Sequence, residues 1–206
     1  MSKVGKVGKV GKVGVLGGTF DPLHLGHLRA AEVARDELSL ECVLFVPARN
    51  PPHKPGDAVT DASARVAMLE LALADEEGFE LSSIEIERGG RSYTIETLDE
   101  LQRNLPDADY WFITGSDAFM EIRTWKDWEG LLQRYAFAVN ERPGFGLEEA
   151  ARAVPSSLHE RVVFLQPKML NVSSTEIRSS VRDGRSIRFL VPGAVDDYIR
   201  RNRLYE

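Results

Sequence analysis

His24 and His27 stand three residues apart in the stretch Gly17-Gly18-Thr19-Phe20-Asp21-Pro22-Leu23-His24-Leu25-Gly26-His27-Leu28. These residue types suit phosphate: glycines let a backbone approach a ligand closely, a threonine hydroxyl donates, and imidazoles supply hydrogen bonds or charge. If helical geometry begins near Leu23, both rings share one face and point at one anion. An isolated pair of this spacing reads first as a metal pair or as two surface histidines. Gly17, Gly18 and Thr19 upstream shift the balance toward phosphate, and no HExxH pattern or cysteine cluster completes a zinc site. The stretch is neither a Walker loop, lacking Gly-Lys-Ser/Thr, nor a GxGxxG dinucleotide fingerprint.

Such a stretch works only where a strand hands over to a helix. Val13 to Leu16 reads as a short buried strand, and Leu25 to Leu38 has helical periodicity, with Leu28, Ala31, Val33, Ala34 and Leu38 near one face. The glycines then lie at a strand's carboxyl end, where open α/β sheets bind ligands and the amides of the next helix attract anions. A β-helix-β rhythm follows: strand Cys42 to Val46, helix Ala62 to Ala74, an alternating strand-like run Phe79 to Ile86, helix Ile95 to Arg103, strand Tyr110 to Thr114, helix Trp125 to Leu132 and strand Ala136 to Val139. Pro47 to Gly56 is a proline-stiffened loop. The last third holds a strand at Val162 to Leu165, a helix opening at Ser173 or Ser174, and a final helix with Pro192 in its first turn. The expected fold is α/β: a Rossmann-like, doubly wound parallel sheet with helices on both faces and a small helical C-terminal part. Residues 12–206 form a single domain; residues 1–11, with their Lys-Val-Gly repeat, read as a low-complexity extension.

Composition narrows the function classes. The 206 residues carry a formal charge of -6, which argues against a general nucleic-acid binder. No run of about 18 apolar residues and no signal-peptide centre is present, so neither a membrane span nor export is expected. The single cysteine, Cys42, makes no intrachain disulfide, and a cytoplasmic location is expected.

Other constellations each have a plain reading. Ser173 lies three residues before Glu176, as in a capping box, yet Ser173, Ser174, Thr175 and the free amides there also suit an anion, with Arg178 one turn in. Trp125 and Trp128 read as core residues of one helix. Asp117, after a strand, is a ribose acceptor or a helix cap.

Together these residues resemble a known family. Gly-Gly-Thr-Phe-Asp-Pro followed by His-Leu-Gly-His is similar to the HxGH signature of the nucleotidyltransferase superfamily. With Val172 to Arg178, Pro51-Pro52-His53-Lys54, Ser92 to Leu98, Gly115-Ser116-Asp117, Arg142-Pro143-Gly144 and the ending from Val191, residues 12–206 resemble bacterial nicotinate-nucleotide adenylyltransferases. The resemblance implies transfer of the adenylyl group of ATP to nicotinate mononucleotide in NAD biosynthesis, with His24 and His27 as catalytic charge stabilisers. It implies ATP contacts from Gly17, Gly18, Thr19, Phe20, His24, Gly26, His27, Ser173, Ser174, Thr175 and Arg178. It implies nicotinate-nucleotide contacts from Gly18, Thr19, Lys54, Thr94, Gly115, Asp117, Trp125 and Arg142, Trp125 stacking on the pyridine ring. Magnesium would arrive on the ATP phosphates and not in a protein cage. The partners implied are small molecules, with a homo-oligomer left open. A nicotinamide-mononucleotide enzyme and a non-catalytic nucleotide-binding regulator remain as alternatives. Asn140 at a strand end, Phe145 in place of a tyrosine, and the Lys-Val-Gly extension depart from the family's wording.

Overall fold

The computed structural model describes residues 11–50, 59–166 and 170–206. Strands β1 (Lys12–Gly18), β2 (Cys42–Pro47), β3 (Phe79–Leu81), β4 (Asp109–Gly115), β5 (Ala136–Asn140) and β6 (Val162–Leu165) form a sheet of order β3-β2-β1-β4-β5-β6. Every neighbouring pair is parallel. Parallel strands need crossovers, so both faces acquire helices and the strands become apolar throughout; all of β2 and β5 is buried.

Alternation along each strand divides the core in two. Val13, Val15, Leu44, Phe112 and Phe137 face one cluster, whereas Leu16, Val43, Phe45, Ile113 and Ala138 face the other. The second cluster takes the stripes of α1 (Leu25–Leu38), α2 (Ala62–Leu73), α8 (Ser174–Arg182) and α9 (Gly193–Arg201). The first receives α3 (Ile84–Arg88), α4 (Thr94–Asn104), α5 (Ser116–Met120), α6 (Trp128–Arg134) and α7 (Leu147–Arg152). Burying a side chain such as Phe137 stabilises by about 1.5–3 kcal/mol. The strand order reverses between β1 and β4, and that reversal opens a crevice at their carboxyl ends.

Several boundaries differ from the sequence reading. Phe79 to Ile86 is not one strand: β3 stops at Leu81 and α3 begins at Ile84. Ile84 and its neighbour Glu85 are both buried, which alternation in a half-exposed edge strand does not allow. Trp125 is not helical either. A 3₁₀ turn, Ile122–Thr124, precedes it, its backbone is extended, and Asp127 adopts φ 49° before α6 starts at Trp128. Pro192 is the N-cap of α9 and lies outside its first turn, and α5 and α7 are too short for sequence periodicity to register. No helix among the described residues is long and apolar enough to cross a membrane. Residues 1–10 of the expected extension and 51–58 of the proline loop, Lys54 included, lie outside the described residues.

Candidate functional site

The chain leaves β1 through Gly17 and Gly18 and turns at Phe20, whose φ of 49° is left-handed and costs a non-glycine residue about 1–2 kcal/mol. That turn drives the Phe20 ring into the core, 1% exposed, and edge-on to His27 at 5.0 Å. A Cβ on Gly18 would meet the Phe20 ring at 3.1 Å, so a larger residue there would push on that buried ring by a few tenths of an ångström.

His24 is the N-cap of α1 and extended; His27 sits in its first turn. The His24 backbone N–H donates to His27 Nδ1 at 3.3 Å, and the two rings stack with centroids 3.6 Å apart. A neutral His27 therefore carries its proton on Nε2. His24 is 2% exposed, and its Nδ1 has no partner among the described residues. Burial first, and the Arg142 guanidinium second, lower its pKa to about 3. At neutral pH His24 is therefore an uncharged hydrogen-bonding group, because its site lacks the water an imidazolium needs.

The second helix start is fastened to the first motif. Ser173 Oγ accepts the Glu176 N–H at 3.2 Å, as a cap does. Ser174 Oγ donates to the Pro22 carbonyl at 2.9 Å, and Arg178 donates to the Asp21 carbonyl at 2.7 Å and to Thr175 Oγ1 at 3.4 Å. These contacts hold the first turns of α8 against the Asp21–Pro22 segment that leads into α1, and helix amino ends attract anions.

Across the crevice, Gly17, Gly18, Thr19, Thr94, Thr114 and Trp125 line a cleft of about 200 Å³. Thr94 opens α4, and the extended backbone at Trp125 sets the indole edge-on to Phe112, centroids 5.8 Å apart. Glu85 also lines the cleft; one carboxylate oxygen accepts from Thr97 Oγ1 at 2.6 Å, while Oε2 is buried without a partner among the described residues. At the end of β4, a Cβ on Gly115 would fall 2.3 Å from Asp117 Oδ1 and 3.0 Å from Arg142 Nε. Asp117 and Arg142 are themselves 3.9 Å apart. The buried Ser116 places that arginine: its hydroxyl donates to the Phe145 carbonyl at 2.6 Å and accepts the Arg142 N–H at 2.9 Å.

Sequence reasoning missed the residues beneath the site. Arg65, 1% exposed, donates to the carbonyls of Thr19, Ala48 and Thr60 at 2.8, 2.9 and 2.9 Å. Asp21, also buried, accepts from Tyr205 Oη at 2.7 Å and from the Thr60 N–H at 3.2 Å. A signal for Arg65 did exist: it falls on the same helical stripe as Met68, Leu69 and Ala72, where only a fully paired charge is tolerated. Tyr205, ordered by a partner far away in sequence, left no such local trace.

Residues 15–180 match the cytidylyltransferase-like family. The chain is 47% identical over 194 residues to a protein of Desulfitobacterium hafniense strain Y51 named "probable nicotinate-nucleotide adenylyltransferase", covering 92% of this chain and 93% of that one. A protein of the same name from Citrifermentans bemidjiense is 42% identical over 207 residues, covering 92% and 96%. In structure, the chain resembles Plasmodium falciparum nicotinic acid mononucleotide adenylyltransferase complexed with NaAD, with TM-score 0.79, 20% identity, and 96% and 98% of the two chains covered.

Proposed function

The chain belongs to the cytidylyltransferase-like family and, within it, to the nicotinate-nucleotide adenylyltransferases, and from that premise we propose how its residues transfer the adenylyl group of ATP to nicotinate mononucleotide. The products are the deamido dinucleotide and pyrophosphate, a step of NAD biosynthesis. The observation that carries the reading is the fastening of α8, through Ser174 and Arg178, to the Asp21–Pro22 segment just before His24, in a chain whose Gly17, Gly18 and Thr19 line a cleft with Trp125. A triphosphate and a mononucleotide phosphate are both anions, and helix amino ends and an arginine suit both.

The mononucleotide phosphate attacks the α-phosphorus, the bond to the β-phosphate oxygen breaks, and pyrophosphate leaves. No covalent intermediate on the protein is needed. The work of the chain is to align the reactants and to meet the charge that grows on the α-phosphate and the leaving group. His27 donates from Nε2, its ring fixed by the His24 N–H and by Phe20. His24, uncharged, contributes a dipole at no reorganisation cost, and the amides opening α1 and α8 add theirs. Arg178 is already half committed to Asp21 and Thr175, so it acts as a positioned cation and not as a free arm.

Magnesium suits this site as an ion brought by ATP. Among the described residues no three His, Cys, Asp or Glu side chains converge, and Mg²⁺ keeps several waters and binds through phosphate oxygens. The ion would neutralise triphosphate charge there.

Trp125 offers its face to a pyridine ring, and the amides of the first turn of α4, at Thr94, attract the ring's carboxylate. A cytoplasmic setting fits the lone, buried Cys42 thiol. The direct test is pyrophosphate release from ATP and Mg²⁺ with nicotinate or nicotinamide mononucleotide. Release with the acid and little with the amide is expected; the reverse preference overturns the substrate, and no release with either overturns the activity.

A further inference from the structure

The chain turns back sharply after α9. Asn202 caps the helix, and Arg203 then takes φ 48°, a left-handed conformation that glycine usually supplies at this place. The Arg203 N–H donates to the Arg200 carbonyl at 3.3 Å and the Leu204 N–H to the Ile199 carbonyl at 3.0 Å, the pair of bonds that closes a helix on a left-handed residue. Leu204 packs on the core cluster that holds Ile199. Tyr205 is left-handed again, at φ 70°. Non-glycine residues persist in this region only where their surroundings over-determine them, and such positions gather at functional sites. What holds Tyr205 is its hydroxyl, which donates to Asp21 Oδ1 at 2.7 Å across 184 positions of sequence.

Asp21 lies inside the phosphate-facing stretch and does two things with different atoms. Its carboxylate, in a residue 3% exposed, accepts from Tyr205 on Oδ1 and from the Thr60 N–H on Oδ2. Its backbone carbonyl accepts from Arg178 Nη1 at 2.7 Å. Burial, then the Asp21 carboxylate, push the Tyr205 phenol far above its usual range, so it keeps the proton it donates. Two guanidinium groups feel this cluster. Arg65 is tied to three carbonyls, whereas Arg178 is half-buried, and its other bond, to Thr175, is long at 3.4 Å. Without the phenol, Oδ1 would be a buried carboxylate oxygen stripped of its donor, and Arg178 is the cation best placed to turn to it.

We propose that Tyr205 is a positioning residue for adenylyl transfer: by occupying Asp21 Oδ1 it keeps the Arg178 guanidinium on the Asp21 carbonyl, available to the ATP phosphates, and prevents its capture by the carboxylate. Tyr205 touches no reacting atom and acts through Asp21. The proposal rests on the reading of Arg178 as an ATP contact and adds to it a residue from beyond the last helix.

Calorimetric titration of the full chain with ATP and Mg²⁺, together with KM values from pyrophosphate release, tests it. In Tyr205→Phe, which lacks one oxygen, ATP should bind about tenfold more weakly while the KM for nicotinate mononucleotide stays within about twofold. Asp21→Asn removes the competing carboxylate. Tyr205→Phe/Asp21→Asn should therefore bind ATP more tightly than Tyr205→Phe, and as Asp21→Asn alone does to within about twofold. A phenol that merely supports the fold would weaken both substrates and gain nothing from the second substitution. Unchanged ATP affinity in Tyr205→Phe, an equal loss for both substrates, or a loss that Asp21→Asn does not relieve overturns the proposal. If Tyr205→Phe fails to fold, the Asp21→Asn background decides: a loss of about tenfold on adding Tyr205→Phe there overturns it, and equal affinity supports it. No ATP binding by the unmodified chain would instead refute the adenylyl-transfer reading, and the proposal with it.

Discussion

Arg65 Nη1 donates to the Thr19 carbonyl at 2.8 Å, which fixes the phosphate-facing turn from beneath through a side chain that water never reaches. The same nitrogen holds Ala48, and Nε holds Thr60, so one guanidinium joins the turn after β1 to the chain on either side of residues 51–58. Arg65→Leu would leave three carbonyls without this donor and remove one of the cations near Asp21. A loss of about 3 kcal/mol or more is expected, or roughly 6–12 °C in Tm for a chain of this size. Arg65→Lys should recover much of the Tm yet keep a raised KM for ATP, because an ammonium cannot span three carbonyls. Calorimetry together with the KM measurements checks this; an unchanged Tm in Arg65→Leu would rule out the clamp.

His27→Ala removes a donor already oriented before substrate arrives. Turnover should fall by roughly a hundredfold to a thousandfold, with Tm nearly unchanged. Near-normal turnover in that variant would remove His27 from the mechanism.

Trp125→Ala should act on one substrate. Stacking on a pyridine ring contributes about 1 kcal/mol beyond area burial, so the KM for nicotinate mononucleotide should rise several-fold to tenfold while kcat changes little. A defect confined to the KM for ATP would refute the placement of Trp125.

Acid should destabilise the fold through His24. Its native pKa, about 3, lies below the unfolded value of 6.5, so between those limits the unfolded chain binds the extra proton. Stability is then complete above about pH 6.5 and is lost as pH falls toward about 3, by up to roughly 1.4 kcal/mol per unit at the steepest. Urea denaturation at pH 7, 5 and 4 should show this slope, and His24→Asn should flatten it. An equal slope in the variant would assign the acid sensitivity to other groups.

Gly26→Ala tests how closely α1 is fitted to the His24 ring. The added Cβ would stand 3.0 Å from His24 Nδ1 and 3.1 Å from Cε1, so the imidazole must give by a few tenths of an ångström. Turnover should drop by about tenfold, since small displacements of a catalytic group carry large penalties, while helix propensity gains slightly. An unaffected kcat would show that the ring moves freely.

Much of this site could be read from local pattern. The glycines before His24, the Ser173 to Arg178 start and the apolar stripes of α1 and α2 announce themselves because turn chemistry, capping and periodicity act over a few neighbouring residues. Trp125 shows where that stops. Its spacing from Trp128 fits a helix, but Asp127 at φ 49° breaks the turn, and the indole, while packing on the same core cluster as Trp128, also lines the cleft. Glu85 is similar: an alternating run suggests a strand, whereas burial beside Thr97 requires α3.

By itself the sequence determined the alternation of strands and helices, the phosphate-facing turn and the family, all of which rest on contacts within short segments. Only the tertiary structure decided that His24 is uncharged, that Arg178 and Ser174 bind Asp21 and Pro22, and that Tyr205 closes on Asp21. The physical reason is distance along the chain. Those bonds join residues 152 to 184 positions apart, and their worth depends on exclusion of water, which no single segment achieves before the two cores close.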